Sequence, residues 1–87
     1  MGYEYFLRVP EESRDMLAGE QGQALLDKIH AADPPTAPRY PNVSVSIIPD
    51  GLLFCDHLSN REIAHRVLGA AVAQLLRGAA SVTIEEA

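Results

Sequence analysis

Cys55, Asp56 and His57 stand in a row, and a thiol, a carboxylate and an imidazole are the groups from which a nucleophile and its base are built. The row lies in an apolar segment that reads as a strand. Side chains alternate between faces there, so Asp56 points away from Cys55 and His57. The same alternation places Cys55 on the buried side, where a thiol behaves as a small apolar residue. His57, Asp56 and His65 on the following helix are metal-ligand types, yet no two histidines stand one helical turn apart. His30 sits at the end of a helical segment, where the helix dipole favours a cation. Gly19 and Gly22 are not followed by Lys-Ser or Lys-Thr, so no phosphate cradle is indicated. Glu11-Glu12 and Glu85-Glu86 are near the ends of the chain and read as solvated charges rather than a carboxylate pair across a cleft. No catalytic, metal-ligating or cofactor-binding residue is therefore expected, and the chain is expected not to be an enzyme.

The elements that carry these residues are set by length and pattern. The chain has 87 residues, enough for one domain over 1–87 with one small core. Its formal net charge of −5 works against nucleic acid, whose phosphates demand Lys and Arg, and against anionic membrane surfaces. It suits a basic protein partner. The single cysteine excludes an internal disulfide and fits a reducing compartment. Met1 to Val9 lacks a signal-peptide pattern, and Ile63 to Leu76 is too short and too interrupted to span a bilayer. A cytoplasmic location is expected.

Tyr3 to Val9 alternates, with Tyr3, Tyr5, Leu7 and Val9 on one side and Glu4, Phe6 and Arg8 on the other, as in a half-buried strand. Glu11 to Ala31 is helical in composition, acidic early and basic late, with an interruption expected near Gly19. Ala32 to Pro41 carries Pro34, Pro35, Pro38 and Pro41 and reads as a stiff crossing loop. Two apolar runs joined by Pro49-Asp50-Gly51 predict a hairpin from Val43 to Leu58. A three-residue loop there pairs Ile48 with Leu52. Val43, Val45, Ile47, Leu53 and Cys55 then face the core, and Ser44, Ser46, Ile48, Leu52, Phe54 and Asp56 face outward. Ser59 and Glu62 form a capping box for a helix reaching Arg77, which Gly78 ends in a left-handed conformation. Ser81 to Glu86 predicts a last strand, Val82 and Ile84 inward.

This order of elements resembles the ferredoxin-like βαββαβ sandwich, an α+β fold. The resemblance implies a four-stranded antiparallel sheet, the first and third strands central, and both helices on one face. The other face then presents Phe6 and Phe54 at its centre beside Ile48 and Leu52, rimmed by Glu4, Arg8, Asp56 and Glu85. An apolar centre with a polar rim has the composition of a binding patch. Tyr5-Phe6-Leu7-Arg8 also resembles the shorter motif of RNA-recognition domains of this fold. Val9 and Pro10 replace that motif's ending, however, and Asp50 stands where its longer companion has a basic residue.

The expected function is a small acidic, non-catalytic protein-binding domain. Its most concrete form is a bacterial immunity or inhibitor protein that neutralises a toxin or effector. Glu4, Phe6, Arg8, Ile48, Leu52, Phe54, Asp56 and Glu85 would bind the partner, a basic protein or a second copy of the chain. The alternative is a homodimeric α/β-barrel-like small enzyme or a small-molecule-binding regulatory domain.

Overall fold

A computed structural model describes residues 3–32, 42–58 and 60–87. The proline-rich crossing at 33–41 and the expected cap Ser59 lie outside the described residues. Strand β1 (Tyr3–Arg8) leads into a 3-10 helix (Glu11–Leu17) and then helix α1 (Gly19–His30). Strands β2 (Val43–Ile48) and β3 (Gly51–Asp56) form the hairpin, and helix α2 (Arg61–Leu76) and strand β4 (Thr83–Glu86) close the described chain. The architecture is α+β, with a four-stranded sheet in the order β2-β3-β1-β4 and every neighbouring pair antiparallel.

Local chemistry explains most element boundaries. Pro10 presets the backbone entering the 3-10 segment, and Ala18 is extended at its end. Gly19 then takes φ +54, a conformation open to glycine, and the chain restarts as α1. A second glycine, Gly22, lets α1 lie tightly on its neighbours, since a Cβ there would be 2.3 Å from the Leu17 carbonyl oxygen. Asn60 caps α2, its Oδ1 accepting from the Ile63 amide at 3.1 Å. The last turn closes through Leu75, whose carbonyl oxygen accepts from the amides of both Gly78 and Ala79. Gly78 is not among the residues with positive φ, so the expected left-handed stop is replaced by a right-handed one at Arg77.

The core is one cluster. Ile63, Ala64, Val67, Ala71 and Leu75 of α2 recur at helical spacing and join Leu25 and Ile29 of α1 against Leu7, Val43, Val45, Leu52 and Phe54 of the sheet. Tyr5, Leu68 and Val82 pack on its margin. Ile47 and Ile84 fall on the core side by register but remain 37% and 50% exposed, because each lies on an edge strand.

The hairpin departs from expectation by one residue. Ile48 lies opposite Gly51, across a turn made by Pro49 and Asp50. A one-residue change of register turns a strand over. Leu52, Phe54 and Asp56 are therefore buried, at 0%, 1% and 3% exposure, and Leu53 and Cys55 turn to the opposite face. Two physical reasons stand behind the change. Gly51 serves close approach, since a Cβ there would sit 1.9 Å from the Leu7 carbonyl oxygen of β1. The observed register also buries a phenylalanine where the expected one would bury a cysteine, and apolar area decides such choices.

Candidate functional site

Directly opposite residues of an antiparallel pair share a face, so the register defines the side of the sheet away from the core. Phe6 lies opposite Leu53 on one side and Glu85 on the other, and Leu53 lies opposite Ser46. Glu4 and Ser44 flank Cys55 in the same way. Of the expected partner-binding residues, Glu4, Phe6, Arg8, Ile48 and Glu85 are brought together on this face. Leu52, Phe54 and Asp56 are not. Leu52 and Phe54 are core, with the Phe54 ring 6.4 Å from Tyr5, and Asp56 is a buried structural carboxylate. Leu53, Cys55 and His57 take their places.

Arg8 organises one end of the face. Its guanidinium pairs with Asp50 in the turn and with Glu85 of β4 at 3.4 Å, and lies 4.7 Å from the centre of the Phe6 ring. The Asp50 hydrogen bond raises the Arg8 pKa; burial works against it, and the charges of Asp50 and Glu85 add to the rise. The two carboxylates outnumber the single guanidinium here, and Glu4 adds to the negative rim.

At the other end, Ser44 Oγ and His57 Nε2 are 2.6 Å apart, and His57 Nδ1 is 3.8 Å from Cys55 Sγ. The imidazole lies between the two side chains, so serine, histidine and cysteine form one polar chain. Cys55 is half-buried on this face, not in the core as its strand position suggested. Burial first, then the charges of Glu4 and Asp56, pushes its thiol above the ordinary range. That is the opposite of the depressed pKa of an activated cysteine nucleophile.

No family model matches this chain, and no curated protein or solved structure matches it either.

Asp56 works from the far side of the sheet. It binds Arg61 at 3.1 Å and accepts a hydrogen bond from the Leu58 amide at 2.8 Å. Arg61 in turn lies 5.0 Å from the Tyr3 ring centre. Among the described residues, no group of three or more His, Cys, Asp and Glu side chains is placed to hold a metal, and no helix is long and apolar enough to cross a membrane. A groove of ≈ 360 Å³ opens between the helical elements, lined by Met16, Leu25, Lys28 and Arg77 among others. None of the residues on the open sheet face lines it.

The missing members of the face carried a signal in the sequence. In the run Gly51-Leu52-Leu53-Phe54-Cys55 both alternations are apolar, and side-chain size alone separates them: the larger pair, Leu52 and Phe54, belongs inside.

Proposed function

We propose that this chain is a small, acidic, non-catalytic protein-binding domain that receives a basic partner on its open sheet face, in the manner of an immunity or inhibitor protein masking a toxin or effector. The observation that carries the reading is the Phe6–Leu53 pair. Two large apolar side chains lie opposite each other, half-buried, on the side of the sheet away from the core. Serines, Glu4 and Glu85 surround them, giving the apolar centre and polar rim of a docking patch. The net charge of −5 supports a basic partner and would speed its encounter.

The same proposal takes the fold to be the ferredoxin-like sandwich, read from the central position of β1 and β3 and from both helices sharing one core with the sheet. The 3-10 segment before α1 is an addition to that pattern. The cytoplasm is the compartment this reading assigns, supported by the single free cysteine.

The test is capture of partners from the native host by the wild-type chain and by a Phe6→Ser/Leu53→Ser variant. The reading expects a basic protein, held by the wild type and lost from the variant, whose toxic or enzymatic activity the purified wild type suppresses. Equal retention by both chains would remove the sheet face from the interaction. A captured protein whose activity is unchanged would remove the inhibitor role.

A further inference from the structure

β2 is an edge strand, and its six residues, Val43-Ser44-Val45-Ser46-Ile47-Ile48, include no charge and no proline. Edge strands ordinarily carry such residues because an uncharged edge is a template for another strand. The opposite edge is built in the ordinary way: β4 reads Thr-Ile-Glu-Glu, and a copy approaching it would meet carboxylates with carboxylates. At a net charge of −5, copies of this chain repel one another in general. β2 is the edge where that repulsion is weakest, and among the described residues no strand pairs with its outer side.

We propose that two copies of the chain join antiparallel through β2, about a twofold axis at Val45, into one continuous sheet. The occupant is a second copy because the strand is its own complement. With Val45 opposite the partner's Val45, Val43 meets the partner's Ile47 and Ser44 meets the partner's Ser46. Opposite residues share a face, so valine and isoleucine align on the helix side while hydroxyls align on the open side. Twofold symmetry repeats each contact in both directions. Ile47, left 37% exposed at the edge, gains an apolar neighbour. A six-residue strand pair buries less than a standard interface, so the dimer is reversible and concentration-dependent. The pairing leaves Phe6 and Leu53 uncovered, and so stands or falls separately from the partner-binding role.

Sedimentation velocity across a concentration series tests it, with hydrogen exchange read at the β2 amides. The wild type should pass from monomer to dimer, and exchange over Val43–Ile48 should slow as it does so. Ser44 and Ser46 are exposed, so Ser44→Asp/Ser46→Asp and Ser44→Lys/Ser46→Lys chains should fold, checked by circular dichroism. Each alone should weaken dimerisation by about tenfold or more, since the introduced charges meet their like across the axis. Mixed in equal amounts, the two should form a heterodimer. A wild type monomeric throughout the series would overturn the proposal, as would charged variants that dimerise like the wild type. Dimerisation abolished by Phe6→Ser/Leu53→Ser and indifferent to the serine changes would place the contact on the sheet face instead.

Discussion

The Asp56 carboxylate accepts the Leu58 amide hydrogen bond at 2.8 Å, and Leu58 is held at φ 64. Among the described residues Leu58 is the non-glycine residue with positive φ, and it is 43% exposed. A left-handed backbone costs an L-residue about 1–2 kcal/mol, and so exposed a side chain recovers little of that by packing. Asp56, anchored on Arg61, keeps the turn from relaxing. Leu58→Gly should therefore be more stable than Leu58→Ala by about 1 kcal/mol in urea unfolding, the reverse of the usual ranking of glycine and alanine. Asp56→Ala should lose about 1–3 kcal/mol, because the Leu58 amide and Arg61 both lose their partner.

The orientation of β3 makes a second prediction. Phe54 is in the core and Leu53 is on the open face, so truncating the two should differ widely. Phe54→Ala should cost about 3–5 kcal/mol through lost burial and a residual cavity. Leu53→Ala should cost about 1 kcal/mol or less. Chemical denaturation of the two variants side by side checks the register, and equal losses would contradict it.

The residues of β3 disguise its orientation, whereas those of its neighbours display theirs. In β2 the serines mark one face, and in β1 Glu4 and Arg8 do the same, so Phe6 could be placed on the open side from the sequence alone. β3 offers no polar residue until Asp56, and Asp56 misleads, because it is buried as a partner for Arg61 and the Leu58 amide. Pro-Asp-Gly is equally good as a three-residue loop or as a two-residue turn followed by a strand glycine. The deciding fact is the passage of the Leu7 carbonyl beside Gly51, a contact between segments more than forty positions apart. The break at Gly19 was legible because glycine's left-handed freedom is local. Asn60 starts α2 because an asparagine side chain caps a helix about as well as a serine does.

Two glycines with opposite environments give a third prediction. At Gly51 a Cβ would also lie 2.8 Å from the Leu7 carbonyl carbon and 2.9 Å from Arg8 Cα, all backbone atoms of a central strand. Gly51→Ala should force β1 and the hairpin apart and lose stability at the upper end of about 1–3 kcal/mol or beyond. Gly69, inside α2, has nothing within 4 Å of the same position. Gly69→Ala should gain about 0.5–1 kcal/mol by restricting the unfolded chain and favouring helix. Thermal melting of the two variants reads both effects, and a neutral Gly51→Ala would show that β1 does not pass so close.

The fourth prediction concerns proton binding at Cys55. Burial is the main cause of its raised pKa, and the charges of Glu4 and Asp56 reinforce it. The folded chain therefore holds the thiol proton at pH values where the unfolded chain has released it. A raised folded-state pKa contributes stability that is fully present below the ordinary thiol range and is lost as pH climbs through the folded value. Stability should decline over that alkaline window, and Cys55→Ser should flatten this part of the decline. Iodoacetamide alkylation of Cys55 should show a midpoint above that of a free thiol, because the thiolate is the reacting form. Glu4→Gln removes one of the charges that opposes the thiolate, so it should move the midpoint down and speed alkylation at mildly alkaline pH. An unchanged midpoint in Glu4→Gln would mean that burial and the Asp56 charge, without Glu4, hold the proton on the sulfur.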